Sequence, residues 1–327
     1  MKIKEFSISG LYKKYSFSCK IDEKVNIIVG NNGSFKTTML VLMQKVLRGE
    51  HLQAEHGNIK AVNIEFDNLM VVHYRQIEDT RVNFEEKAKS DVSLTEIVNE
   101  IRKLTMDKEA VSQIIIRVEQ FGYSSANGSI TEDDFRKGLN VDFISTFDVK
   151  KDVGNKEQSD LDNQLNALQS EYSYYLSDLA RKMTDLIAQK GSITKEEYES
   201  INRQKELLLN MVNRAFSHTG KELLPNESKL TFRFKNGEEI RANSLSTGEK
   251  QLLIILLTVL LEREREYIVF MDEPELSLHI DWQYNLIEML TQLNPNAQLI
   301  LTTHSPSIFS DGWADKAIYM EDITTED

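Results

Sequence analysis

The sequence is short of the features that mark an oxidising compartment, a membrane or a zinc fold. Its one cysteine, Cys19, cannot close an intramolecular disulfide, and six scattered histidines show no ligand spacing that would pair with it, so structural zinc is not expected. Only 4 prolines and 14 glycines interrupt 327 residues, so one body carrying an insertion fits as well as two domains in tandem. The longest near-apolar run, Leu252 to Leu261, has ten residues including Thr258, whereas a spanning helix needs about twenty. Lysines at 2 and 4 precede no apolar segment, which is not a secretory pattern. A cytoplasmic location with no membrane partner is expected. Basic charge is also in deficit, 39 Lys plus Arg against 52 Asp plus Glu, for a formal charge of -13. That is the wrong sign for a surface that grips phosphate backbones throughout, so nucleic acid, if bound, would meet a local patch.

What is present falls into three stretches. Residues 1–82 read as short strands and one helix: Ile3 to Ile8 and Tyr15 to Ile21 alternate, and Val25 to Val29 runs into Gly30. Beyond Gly33, Met39, Leu40, Leu42, Met43, Val46 and Leu47 fall at helical spacing. Residues 83–217 carry mostly helical periodicity, opening on a capping box at Ser93 and Glu96. Two heptad-like helices there, meeting at Gly191-Ser192, predict a short antiparallel hairpin. Residues 218–327 return to strands, with an Asn236-Gly237 hairpin turn, then helix, buried strand and helix. The expectation is one α/β sheet split in sequence by a helical insertion.

Four segments carry chemistry. GNNGSFKTT, Gly30 to Thr38, joins a buried strand to a helix; it reads as a plain turn or as a phosphate cradle in which Lys36 reaches the phosphates and Thr37 meets Mg²⁺. Phe35 stands where the last glycine of such a loop is usual. YIVFMDEPELSLH, Tyr267 to His279, delivers Asp272 and Glu273 at the end of a buried strand, where one could hold Mg²⁺ through water and the other take a proton from water. LSTGEKQ, Leu245 to Gln251, reads either as a capping box of Ser246 with Glu249 or as a helix start that aims amides at an anion. LILTTHSP ends a strand on His304, a structural histidine or a γ-phosphate sensor.

In this order, GNNGSFKTT, LSTGEKQ, FMDEPELSLH and TTHS resemble the Walker A, signature, Walker B with D-loop, and switch histidine of ATP-binding-cassette ATPases. The SMC, RecF and OLD group is most similar, including the ATPase subunits of antiphage systems such as Septu and PARIS. The resemblance implies a P-loop NTPase of ABC/SMC-head type that uses ATP and Mg²⁺. It implies phosphate binding by Asn31, Asn32, Gly33, Ser34, Phe35, Lys36, Thr37 and Thr38. Asp272 and Thr37 would sit at the metal, Glu273 would be the general base and His304 the γ-phosphate contact. Gln76, at the end of the strand-like Leu69 to Tyr74, is the Q-loop candidate for nucleotide and metal. Ser246, Thr247, Gly248 and Glu249 would act across a head-to-head homodimer. The function expected is a regulatory ATPase in antiphage defence with a separate effector, such as a nuclease or toxin. A RecF-like DNA-repair ATPase, a nucleotide-clamped scaffold with little hydrolysis and a transporter energiser are the alternatives.

Overall fold

The computed structural model describes residues 1–52, 59–79, 116–126, 128–145, 151–153, 156–158, 160–225 and 229–326. In chain order the first strands and helices are β1 (Ile3–Leu11), β2 (Tyr15–Lys20), β3 (Val25–Val29), α1 (Lys36–Leu47), β4 (Ala61–Phe66), β5 (Val71–Asp79), β6 (Ile116–Ser125) and β7 (Gly128–Ser129). The middle of the chain adds α2 (Glu132–Lys137), β8 (Val141–Ser145), β9 (Lys151–Val153), β10 (Lys156–Gln158), α3 (Asp160–Lys190) and α4 (Lys195–Ala215). There follow β11 (Lys221–Leu223), β12 (Thr231–Phe234), β13 (Glu239–Arg241), α5 (Thr247–Leu261) and β14 (Ile268–Asp272). The chain closes with α6 (Ile280–Leu293), β15 (Gln298–Thr303), β16 (Ala317–Tyr319), α7 (Met320–Ile323) and β17 (Thr324–Glu326).

A parallel sheet in the order β16-β3-β15-β14-β8 is the frame of the molecule. Its central strands are near-continuous apolar runs, as strands covered on both faces must be. Alternation then sorts their side chains. Val25, Ile27, Val269, Met271, Leu299 and Leu301 enter one core with the helices α3 to α6, while Ile28, Ile268, Phe270 and Ile300 enter a second. That second core is closed by α1 and by an antiparallel sheet in the order β17-β2-β1-β4-β5-β6-β7. Helix α1 is held between the sheets with Met39, Leu40, Leu42, Met43, Val46 and Leu47 buried. On the opposite face α5, apolar all round, is buried among α3, α4 and α6. The hairpin of β12 and β13 turns through Asn236 and Gly237, the latter at φ +88°.

The stretch 83–217 departs from its helical reading. Its described residues supply β6 and β7 to the antiparallel sheet, and β8 to the parallel sheet, where Val141–Ser145 pair with Ile268–Asp272. Strand β8 is fixed by β14, more than a hundred residues away, and β6 by β5 from the stretch before it, and local periodicity cannot report such partners. The capping box at Ser93 and Glu96 lies outside the described residues. Helices α3 and α4 are joined through Gly191, at φ +81°, and a capping box of Thr194 with Glu197. Asn202 Nδ2 reaches Met183 Sδ at 3.7 Å between them. Near the far end Ile187 and Tyr198 are 45% and 47% exposed. Among the described residues no helix is long and apolar enough to cross a membrane.

Candidate active site

Strand β3 stops at Val29 and α1 begins at Lys36, so residues 30–35 must turn the chain from the sheet into the interlayer helix. No side chain caps α1 and its first turn has no acidic residue. The orphan amides and the positive dipole end there suit an anion. Gly33, at φ +82°, has open space around it, whereas a Cβ on Gly30 would meet Ser34 Oγ at 2.6 Å. That Ser34 hydroxyl is itself buried without a hydrogen-bond partner. Lys36 is only 5% exposed, and its Nζ donates to the carbonyls of Gly30 at 2.7 Å and Asn31 at 3.2 Å. Phe35 takes the left-handed conformation a glycine would take, φ +68° and ψ 15°. Its ring lies 4.9 to 6.1 Å from those of Tyr15, Tyr12 and Phe17, and these contacts offset a backbone cost of about 1–2 kcal/mol.

Strand β14 carries Asp272 to the same mouth, 2% exposed. Its Oδ1 accepts from Thr37 Oγ1 at 3.0 Å and from Thr302 Oγ1 at 2.5 Å. Glu273 is in the left-handed region at φ +48°, with its N–H donating to the Thr302 carbonyl at 3.0 Å. A non-glycine residue held this way at a strand end points to function rather than to folding need. Glu273 Oε1 lies 3.6 Å from Lys36 Nζ; Oε2 lies 2.7 Å from His304 Nδ1 and accepts from the His304 N–H at 3.2 Å. Burial pushes the Glu273 carboxyl up, but hydrogen bonds from Glu275 and His304 and the charges of His304 and Lys36 outweigh it and hold it below the ordinary glutamate value. The neighbouring Glu275 goes the other way: burial, then its hydrogen bond with Glu273, push it up to about 7. Ligand atoms of Glu273, Glu275 and His304 converge within 4.8 Å, but the 2.7 Å contact between His304 and Glu273 is a hydrogen-bond distance. The hard oxygens of Thr37 and Asp272 are the pair that suits Mg²⁺.

A cleft of about 480 Å³ joins these parts, lined by residues 32–38 with Glu273, Leu276 and His304. A larger hollow of about 590 Å³ runs between α4 and α6, lined among others by Tyr198, Asn202 and Thr291, but it touches neither the phosphate loop nor the acidic strand end. The cleft brings together Asn32, Gly33, Ser34, Phe35, Lys36, Thr37, Thr38, Glu273 and His304, with Asp272 bound to Thr37. Asn31 contributes through its backbone carbonyl. Gln76 is not among the lining residues. It sits inside β5 opposite Glu119, because pairing with β6 carries the strand on to Asp79 rather than ending it at Tyr74.

The signature segment is separate from this cleft and satisfies itself. Ser246 caps α5 in a reciprocal box with Glu249. Glu249, 1% exposed, also accepts from Lys221 at 2.7 and 2.8 Å and from Thr219 at 2.9 Å. Burial raises this carboxyl, yet the bonds from Lys221, Ser246 and Thr219 hold it below its ordinary value. Gly248 is demanded by packing within the chain, since a Cβ there would meet the Ser277 carbonyl at 2.2 Å. Thr302, Thr303 and Glu275 stand inside TTHS and FMDEPELSLH, but the resemblance assigns them no role. Their signal was two threonines closing the otherwise apolar Leu299–Leu301, and a second carboxylate two residues after Glu273.

Residues 41–310 match the family model described as "AAA domain, putative AbiEii toxin, Type IV TA system". The chain belongs to this AAA-domain family. The match opens inside α1, just after the phosphate loop. Similar curated proteins include the "Retron Vc95 probable ATPase" of Vibrio cholerae serotype O1 biovar El Tor, 26% identical across 91% of this chain and 70% of that protein. The "Retron Ec83 probable ATPase" of Escherichia coli is 25% identical across 86% of this chain and 64% of its own length. The Septu protein PtuA of Bacillus thuringiensis is 22% identical, covering 93% and 72%. This chain therefore spans about two thirds of the length of these relatives. Among solved structures, an SMC head bound to the C-terminal winged-helix domain of ScpA superposes with a TM-score of 0.54 at 14% identity, covering all of this chain and 98% of that one. The AAA-domain chain thus has the SMC-head type of P-loop fold.

Proposed function

We propose that this chain is a Mg²⁺-dependent ATPase that closes as a head-to-head homodimer and acts as the regulatory subunit of a cytoplasmic defence system of the retron or Septu kind. A separate effector chain would do the damage. The observation that carries the reading is the Glu273 carboxylate, held ionised between Lys36 and His304, one residue after an aspartate bonded to the phosphate-loop Thr37. We divide the chain into ATPase lobes at 1–82 and 218–327 around residues 83–217, with β6 to β8 of that stretch counted into the ATPase sheets.

The site residues fit ATP and Mg²⁺ on their own chemistry: an uncapped helix start, an unpartnered buried Ser34 hydroxyl and a Thr37–Asp272 oxygen pair. Bound Mg²⁺ would be held by Thr37 and Asp272 and would neutralise charge on the phosphates. Lys36 would exchange its two loop carbonyls for phosphate oxygens. Glu273 would take a proton from the water attacking the γ-phosphorus as the bond to the ADP oxygen breaks, and His304 would donate to the γ-phosphate. Ser246 and Gly248 of a second copy would close the cleft.

Glu273→Gln should keep ATP binding, trap the closed dimer and lower hydrolysis by at least about 100-fold; near-normal turnover would reject the base assignment. Shared sites have their own test. Ser246→Arg and Lys36→Ala should each be inactive alone, and a mixture should regain one working composite site per heterodimer. A verified heterodimer without activity would count against sites built from both copies.

A further inference from the structure

Glu275 is 5% exposed and belongs to none of the roles above. One oxygen has a fixed partner: Thr303 Oγ1 accepts from the Ser305 N–H at 2.9 Å, which commits the hydroxyl proton to Glu275 Oε1. The other oxygen, Oε2, is buried and meets no donor. Its neighbour in the turn is Glu273, whose oxygens face Lys36, His304 Nδ1 and the His304 N–H. Two carboxylates in contact cannot both be ionised at low cost, and Lys36 with both His304 groups stands on the Glu273 side, whereas Glu275 has the Thr303 hydroxyl. The proton therefore belongs to Glu275, which satisfies Oε2 and turns the residue into a donor. The charged and titratable groups around the pair are Lys36 from α1, Asp272 at the end of β14 and His304 after β15.

We propose that Glu275 is a positioning residue: as a neutral acid it donates from Oε2 to the Glu273 carboxylate and, through Thr303, locks the D-loop turn to the strand end that carries His304. A second tether runs in parallel. Gln283 of α6 accepts from Ser305 Oγ at 3.1 Å and donates to the carbonyls of Glu275 at 3.4 Å and Leu278 at 3.1 Å. The general base and the γ-phosphate contact are then placed as one unit. This rests on the ATPase reading, and the elevation of Glu275 to about 7 agrees with it.

The test compares Glu275→Leu with Glu275→Gln in the full chain. A base displaced by an ångström can cost about 100-fold, so Glu275→Leu should lower kcat by at least about tenfold with ATP affinity and KM little changed. Glu275→Gln, which keeps a donor for Glu273 and an acceptor for Thr303, should restore most of that rate. The ratio of wild-type to Glu275→Gln turnover should also fall as pH rises through about 7. Wild-type turnover in Glu275→Leu, or a Glu275→Gln as slow as Glu275→Leu, would overturn the proposal. Infrared difference spectra give a readout that needs no hydrolysis. A carboxylic C=O band in slightly acidic buffer, lost in Glu275→Gln, is expected, and its absence from wild type would overturn the proposal even if the ATPase reading stood. Retention of that band in a wild-type protein that never hydrolyses ATP would sink the ATPase reading alone.

Discussion

Two helix starts in this molecule look alike in sequence and are opposites in structure. Helix α1 opens from GNNGSFKTT with no capping side chain and no acid in its first turn. Helix α5 opens from LSTGEKQ with a complete capping box, and the Glu249 carboxylate sits where a bound anion would sit. Both starts have the same orphan amides and the same positive dipole end. One is left uncapped, and the other is neutralised from within the chain. Amides at a glycine-bearing helix start therefore do not make a phosphate site unless the chain withholds its own carboxylate. At α5 what is offered outward is the exposed edge of Ser246 and Thr247, not an empty anion cradle.

The largest effect is expected from Glu249→Ala, which removes the internal anion. Breaking a buried pair by deleting one partner costs about 3–5 kcal/mol, and we expect the lower end because Lys221 is 13% exposed and can regain water. Urea unfolding would measure it, and a loss under about 1 kcal/mol would mean the cap is ornamental. The pH dependence has a fixed sign. The folded-state value of Glu249 lies below the ordinary one, so its stabilisation is fully present above the unfolded glutamate value of about 4.3 and disappears as pH falls through the lower folded value. Wild type and Glu249→Ala should converge in stability only in that acid range.

Gly248→Ala probes the same start with a smaller change. On an isolated helix the substitution would help by about 1 kcal/mol. Here the new methyl group meets the Ser277 carbonyl, and Ser277 is itself fixed at φ +67°. Overpacking against backbone costs about 1–3 kcal/mol, so a net loss of about 1 kcal/mol is expected, with slower hydrolysis because the D-loop that follows Glu273 must move. Unchanged stability would show that Ser277 yields readily.

How much of this was legible in the sequence follows from how local each feature is. The strand–loop–helix of residues 25–47, the Glu249 capping box and the Asn236-Gly237 turn are set by neighbours within a few positions, and their residue types announce them. The apolar strands ending in Asp272 and at Thr303 were legible for the same reason, and they brought Glu273 and His304 to one cleft. What stayed hidden depends on distant partners. Strand β8 is fixed by β14, and β5 runs past Gln76 because β6 pairs with it. Nothing near Gly248 in sequence foretells the Ser277 carbonyl, and nothing near Glu275 foretells the Thr303 hydroxyl.

Phe35→Gly sharpens the comparison from the α1 side and should have the smallest effect on activity. Glycine removes a left-handed penalty of about 1–2 kcal/mol, but it adds about 0.5–1 kcal/mol of unfolded-state entropy and forfeits ring contacts with Tyr12, Tyr15 and Phe17, each pair worth about 0.5–1.5 kcal/mol. At mid-range these terms leave a net destabilisation of about 2 kcal/mol. Phe35→Ala keeps the backbone penalty and loses the rings, so it should be the less stable of the two variants, and that ordering isolates the strain from the packing. Lys36 is held by the carbonyls of Gly30 and Asn31 rather than by the ring, so ATP affinity and turnover in Phe35→Gly should stay within about threefold of wild type. A rise in turnover of about tenfold would instead mean that the aromatic cluster restrains the loop against phosphate, making Phe35 a brake built into an otherwise open helix start.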